Sequence, residues 1–334
     1  MNEMKYLLPS ICAMAIAVSP AAAERLAAPD ISASAATSSV VGVAAFRCRA
    51  PYPLRDKHQD LTQTLRDRLN QAGFEAALDD KDLAVAIVDL SDDEPVYAGI
   101  NDTKMMYAAS LPKIAIVLAA VQAVKDKRVR WSDELRTRLS RAINKSSNRD
   151  AAWGARQVGV RYIEKVLRRQ GNCFYGNRNG GLWLGRPYTR RLPDHRDPVA
   201  NLNHGATARQ TARFYTLLAK GLLVDAEGNE RILSLMSPPA ITHKFVRGLV
   251  KRPVTFLARK SGSWSHFHSD SALIQHGELR YAVVALSRNV RNKRHRLEEI
   301  ARAADDIIRA RHSNHSTGSE LGMAPARPQL HTIR

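Results

Sequence analysis

The chain has 334 residues, with 51 Lys and Arg against 32 Asp and Glu, a formal net charge of +19 at pH 7 and only 3 cysteines. That length supports one large domain or two ordinary ones with an ample core, and so few cysteines exclude a small disulfide scaffold. Such a basic balance raises nucleic acid as a partner, but the basic residues run along helices (Lys125, Lys127, Arg128, Arg130, Arg136, Arg138, Arg141, Lys145) without aromatic stacking positions.

Nucleic acid is therefore set aside. A solvated basic face is the plain reading of this charge, and electrostatic contact with anionic envelope polymers or lipid headgroups is the sharper one. Residues 1–23 read as a secretory signal peptide, because Lys5 precedes an apolar run from Tyr6 to Val18, and Ala21 and Ala23 frame a cleavage point before Glu24. The run is shorter than the roughly 20 apolar residues of a membrane-spanning helix and is interrupted by Pro9 and Ser10. No second long apolar segment follows. The expectation is an exported chain, periplasmic or secreted, with no transmembrane segment after signal removal. Residues 24–54 and 313–334 lack sustained periodicity and predict flexible ends around a domain spanning 55–312. Cys12 leaves with the leader. For Cys48 and Cys173 in an oxidising compartment, a bridge tethering the arm and two unpaired thiols both stay open.

Leu61, Leu65 and Leu69 recur every four residues until Gly73, which predicts an amphipathic helix. LAVAIVDL (83–90) reads as a buried strand, and a turn at Asp92, Asp93, Glu94 and Pro95 leads into a second short strand through Val96 and Tyr97. SLPKIAIVLAAVQAVK is apolar nearly all round, so it predicts a helix buried in the domain, with Pro112 tolerated in the first turn. Helices are expected near 133–144, 149–157, 160–170 and 207–220, the last opening with the capping pair Thr207 and Gln210. After residue 254 come three strands (TFLARKS, SDSALIQ, LRYAVVALS) and a closing helix near 294–311. The plan is an α+β fold, an antiparallel sheet built from both chain ends and flanked by helices, with a helical subdomain.

Three short elements carry chemistry. Ser110 and Lys113 lie one turn apart on one face of the buried helix. A serine hydroxyl needs a base, and an ammonium serves only when burial or a neighbouring cation brings its pKa toward neutrality. Taken alone, S-x-x-K also describes a helix-capping serine with a surface lysine, yet an exposed lysine would be odd on so apolar a helix. Ser146, Ser147 and Asn148 occupy a turn between helices, where a hydroxyl can pass a proton to a leaving nitrogen and an amide can hold the lysine and a substrate carbonyl. S-x-N is weak by itself, since Ser287, Arg288 and Asn289 match it too. Lys260, Ser261 and Gly262 end a strand, where a cation and a hydroxyl can grip a carboxylate while the glycine lets substrate lie against the backbone.

The order of these elements, S-x-x-K on a buried helix, S-x-N among helices and K-S-G on a late strand, resembles the class A β-lactamase-like serine hydrolases, the superfamily shared with penicillin-binding D,D-peptidases. The resemblance runs from about residue 55 to 311, and KSGSWSHFHSDSALI is similar to uncharacterised hydrolases of that superfamily. It implies that Ser110 forms an acyl-enzyme, Lys113 is general base, Ser146 relays the proton and Asn148 orients substrate. Lys260 and Ser261 would bind the substrate carboxylate, and the backbone N–H groups of Ser110 and Ser263 would form an oxyanion hole. No cofactor or metal is called for. His266 and His268, followed by Asp270, offer side chains that could bind a metal or substrate, and an ordinary strand connection explains them as well.

The departures matter equally. Class A enzymes carry a Glu and an Asn in a loop after S-x-N that prime the deacylating water; here the segment 150–193 holds one further acidic residue, Glu164, on a predicted helix. Asp194 and Asp197 follow without recreating that motif, and the loop GNRNGGLWLGRPYTRR offers Trp183, Tyr188 and arginines instead. The interval between Ser110 and Ser146 is shorter than in those enzymes, so part of the helical subdomain is trimmed. The expectation is β-lactam hydrolysis with slow deacylation. A D,D-peptidase or amidase acting on cell-wall peptides is the alternative enzyme, and a non-catalytic cell-wall-binding protein is the alternative of another class.

Overall fold

The structure, a computed structural model, describes residues 51–169, 171–188, 195–290 and 293–319. The expected leader, Cys12, Cys48 and Asp194 lie outside the described residues.

α1 (Gln59–Gln71) buries Leu61, Leu65 and Leu69, opens where His58 Nδ1 accepts from Leu61 N, and stops at Gly73, whose φ of 75° suits a glycine. A short α2 (Glu75–Asp79) leads into the hairpin β1 (Leu83–Asp89) and β2 (Val96–Ile100). After the two-residue β3 (Met106–Tyr107) come α3 (Lys113–Lys125), α4 (Asp133–Asn144), α5 (Asn148–Val158) and α6 (Val160–Arg168). The following loop holds β4 (Tyr175–Gly176), β5 (Gly180–Gly181) and β6 (Trp183–Leu184), and returns through β7 (His204–Ala206). α7 (Ala208–Ala219), capped by Thr207 as expected, α8 (Ala226–Met236) and α9 (Phe245–Leu249) precede β8 (Val254–Trp264), β9 (Phe267–His276) and β10 (Leu279–Arg288). α10 (Lys293–Ser319) is the last element among the described residues.

The main sheet is antiparallel in the order β2-β1-β10-β9-β8, so the N-terminal hairpin pairs with the last strand. Both of its faces are covered. Ala84, Ala86 and Val88 of β1 pack with α3 and α7 on one side, while Leu83, Val85 and Ile87 pack with α1 and α10 on the other. That is why β1 reads as an unbroken apolar run rather than an alternating one. α3 is buried from Lys113 to Ala123 and is the central post of the helical layer. The fold class is α+β, an antiparallel sheet flanked by helices with a helical subdomain.

The expected flexible ends need correction at both margins. Residues 51–54 belong to the folded body: Leu54 is buried, and the carbonyls of Pro51 and Tyr52 accept from the buried Arg213 guanidinium. The closing helix, expected to end near 311, runs on to Ser319, and Arg311 Nε and His312 Nε2 lie 3.1 Å and 2.8 Å from the buried Asp89 carboxylate and tie it to β1. Cys173 is disulfide-bonded, with its partner outside the described residues. α8 and α9 are absent from the sequence-based plan; Gly228 and Asn229 obscure the period of α8, which Asp225 caps. Among the described residues no helix is long and apolar enough to cross a membrane.

Candidate active site

The nucleophile candidate sits on a tight turn. Ala109 has φ 52°, a left-handed conformation that costs a non-glycine residue roughly 1–2 kcal/mol. Three contacts hold it: Ala108 N donates to His204 O (2.9 Å), Ser269 Oγ to Ala108 O (2.9 Å) and Tyr188 Oη to Ala109 O (3.0 Å). Ser110 stands after this kink in the turn that leads into α3, rather than inside the helix, and its carbonyl accepts from Lys113 N.

Lys113 is fully buried, and its Nζ faces Ser110 Oγ (3.1 Å), Ser146 O (2.6 Å), Ser146 Oγ (3.3 Å) and Asn148 Oδ1 (2.8 Å). Among the described residues no carboxylate lies within ion-pair distance of it. Burial alone brings its pKa down to about 7. Ser146, at φ 53°, places its hydroxyl between two lysines, since Lys260 Nζ also reaches Ser146 Oγ at 3.0 Å. Lys260 is buried and donates to Ser261 O (2.7 Å); burial first, then the charge on Lys113 and that on Arg259, hold its pKa well below the usual lysine range. Asn148 takes its place because Ser147 caps α5, its side chain accepting from Asp150 N.

β8 supplies the opposite wall. At Gly262 a Cβ would meet Ala108 O at 2.3 Å and Ser110 N at 2.8 Å, so only glycine lets the strand approach the nucleophile turn. This brings the backbone next to Ser263 beside Ser110 N. Ser261 is buried and Ser263 is exposed. A cleft of about 370 Å³ opens over Ser110, Asn148 and Ser263, with Tyr107, Tyr188, His204 and Trp264 on its walls. Hence Ser110, Lys113, Ser146, Asn148, Lys260, Ser261, Gly262 and Ser263, drawn from three distant stretches of sequence, converge on one place.

Other expectations do not converge there. Asp270 is committed to Arg259, whose Nη2 lies 2.7 Å from Oδ2, and to Phe245 N at 3.1 Å. His268 Nδ1 meets Ser263 Oγ at 3.2 Å and His266 Nδ1 meets Ser265 Oγ at 3.2 Å. The three are therefore not a metal-ligand set. Asp197 is held away from the site; its carboxylate accepts from Tyr175 Oη and from the N–H groups of Val199, Ala200 and Leu202, which fixes the loop before β7. Glu164 pairs with Arg168 and His195.

Two residues of the site had no role in the sequence reading. Lys244, buried and at φ 59°, donates to Gly262 O (2.6 Å), Ser263 Oγ (2.9 Å) and Ser269 O (2.9 Å), bracing the strand end behind the cleft. No local pattern announces it. Tyr188 places its ring 4.5 Å from Lys113 Nζ and stacks on His204, with centroids 4.3 Å apart and planes 5° from parallel. An aromatic in the loop that lacks the family carboxylate was its only signal.

The sequence model of a family described as "Beta-lactamase enzyme family" matches residues 64–162 and 155–310. No curated protein matches the chain. Among solved structures, it is similar to a beta-lactamase from Sphaerobacter thermophilus DSM 20745 at 17% identity, covering 72% of this chain and 95% of that one, with a TM-score of 0.56. It is also similar to PBP-A at 14% identity (77% and 98% covered, TM-score 0.57) and to the TLA-3 extended-spectrum beta-lactamase at 13% identity (75% and 98%, 0.57). At these identities the likeness to solved structures speaks for the fold.

Proposed function

This chain belongs to the beta-lactamase enzyme family, and from that premise we propose that it is an exported serine hydrolase that opens β-lactams, or related amides bearing a carboxylate, through an acyl-enzyme on Ser110. The observation that carries the reading is Lys113: a buried amine, without a carboxylate partner among the described residues, 3.1 Å from the Ser110 hydroxyl and with a pKa near 7. A lysine so placed is substantially neutral at physiological pH and can accept a proton.

In the proposed mechanism Lys113 Nζ takes the Ser110 Oγ proton as the oxygen attacks the substrate carbonyl. The N–H groups of Ser110 and Ser263 receive the developing oxyanion, a kind of contact that contributes on the order of 10²–10³ in rate. Ser146 Oγ, in contact with both lysines, passes a proton to the departing nitrogen as the C–N bond breaks. Lys260 and Ser261 hold the substrate carboxylate, and Asn148 steadies the carbonyl side and Lys113. Water then cleaves the ester. Export is part of the proposal, supported by the leader-like residues 1–23 and by the disulfide at Cys173, which belongs in an oxidising compartment.

Deacylation needs a base for the attacking water, and the described carboxylates Glu164 and Asp197 are committed elsewhere. We therefore propose ready acylation and slow release. The same observation fits a second reading, a D,D-peptidase or amidase on cell-wall peptides, which uses the same serine and lysine chemistry. Mass measurement after addition of a penicillin separates an acylating enzyme from a binding protein, and hydrolysis of a D-Ala-D-Ala peptide separates the two enzymes: a lasting adduct on Ser110 without peptide cleavage supports slow β-lactam hydrolysis, a lasting adduct with peptide cleavage supports a peptidase, turnover without adduct supports an efficient β-lactamase, and neither adduct nor turnover supports a binding protein.

A further inference from the structure

The proposed mechanism leaves Tyr188 unused, although it touches the site at three points. Its Oη donates to Ala109 O, its ring faces Lys113 Nζ at 4.5 Å, and its other neighbour is the parallel His204 ring. His204 is in turn fixed, its Nε2 lying 2.8 Å from Arg186 O, the same carbonyl that accepts from Tyr188 N at 2.9 Å. The phenol is therefore locked in place by the loop that precedes β7.

The phenol is a poor acid or base at neutral pH. Burial, with a further contribution from Tyr107, holds its pKa well above 10, and its hydroxyl is spent on a backbone carbonyl. What remains is the ring. Lys113 Nζ has oxygens of Ser110, Ser146 and Asn148 around it, and the Tyr188 face supplies the apolar contact that completes its enclosure.

We propose that Tyr188 is a positioning residue for Lys113, a wall that keeps water off the base and thereby sets the pH at which Ser110 can be activated. The role rests on the reading of Lys113 as base. Among the described residues the groups facing Lys113 are Ser110 from the turn before α3, Ser146 and Asn148 from the turn before α5, Lys260 from β8, and Tyr188 backed by His204 from the loop. Lys145 and Arg149, beside that turn, are exposed. Of these, only Lys260 brings a nearby charge, and it has the same sign as Lys113.

Two opposing effects pass through the ring. It excludes water, which disfavours the ammonium, and its π-face attracts the ammonium, which favours it. Burial as a whole takes Lys113 from 10.5 to about 7, and the ring, 4.5 Å from Nζ, is one of the walls that produce it. Three substitutions then separate the effects by sign. Tyr188→Ala admits water and raises the Lys113 midpoint by on the order of one pH unit. Tyr188→Leu keeps the wall but loses the π-face, and lowers it by about half a unit. Tyr188→Phe keeps both and leaves it within about 0.3 units.

The test is an NMR titration of protein carrying ¹³C-labelled lysine, with the Lys113 signal identified by its loss in Lys113→Met and no substrate added. The expected order of midpoints is Leu, then wild type with Phe, then Ala. If Ala is too unstable to titrate, Tyr188→Val, which fills only part of the wall, is titrated in its place with a midpoint above wild type expected, and a midpoint equal to wild type overturns the proposal. An Ala midpoint that coincides with wild type would overturn the proposal, as would a Phe variant that moves as far as Ala, since that would assign the effect to the hydroxyl bond to Ala109. The titration needs no β-lactam, so a failure of Ser110 to acylate would count against the proposed function and not against this wall.

Discussion

Replacing Lys113 by methionine probes the buried base without any assumption about substrate. Methionine keeps a similar length and loses the charge. Cavity and lost hydrogen-bond costs of the change are largely independent of pH, so the pH dependence of the stability difference isolates the proton. The folded-state pKa of Lys113 is depressed, about 7 against 10.5 for the free side chain. Between those values the unfolded chain binds more protons than the folded one, so wild-type stability must rise with pH across that window. Below about pH 7 the full penalty of burying the amine applies, and above about 10.5 it is gone. Integrating between about pH 6 and pH 9, wild type should gain about 3 kcal/mol relative to Lys113→Met. Lys260 adds to this with the same sign, because it loses a like charge in the mutant. Urea melts of both proteins at about pH 6, 7.5 and 9 measure the difference. Parallel pH profiles for the two proteins would refute the reasoning, because they would mean that Lys113 carries its ordinary charge in the folded state and is no base.

Further outcomes follow from the same geometry. Ser110→Ala should abolish covalent labelling by a penicillin while leaving the thermal midpoint within a few degrees of wild type, read by mass spectrometry and calorimetry on one sample. Gly262→Ala forces a Cβ to within 2.3 Å of Ala108 O and should cut acylation at least about 10-fold; a normal acylation rate would show that the strand and the nucleophile turn yield easily. Asp270→Asn strips the charge partner from buried Arg259 and should cost about 3–5 kcal/mol in a denaturant melt; a loss below about 1 kcal/mol would mean that the pair is solvated.

The strands and helices that carry one strong pattern were legible in the sequence. Leu61, Leu65 and Leu69 wrote α1, the apolar run wrote β1 because the sheet is covered on both faces, and the seamless apolarity of α3 marked Lys113 as a lysine inside a core. The three motifs were legible as well, through their order. What the sequence did not disclose was how they meet. Ser146 bridges Lys113 and Lys260 only because its backbone turns left-handed, and Gly262 is needed because of Ala108, more than 150 residues away. Lys244 and Tyr188 act through tertiary contact alone, so no spacing rule could reach them. The domain margins failed for a related reason: Leu54 and Arg311 are held by distant partners, a core pocket and Asp89, which local composition does not report.

The most direct test of the central claim is the mass of the purified protein, with and without Ser110→Ala, followed over time after mixing with a penicillin. One penicillin should add quickly to the wild-type chain, the adduct should map to the peptide holding Ser110 and decay slowly, and Ser110→Ala should take none. Neither adduct nor hydrolysis in the wild type, or labelling that survives in Ser110→Ala, would contradict the claim.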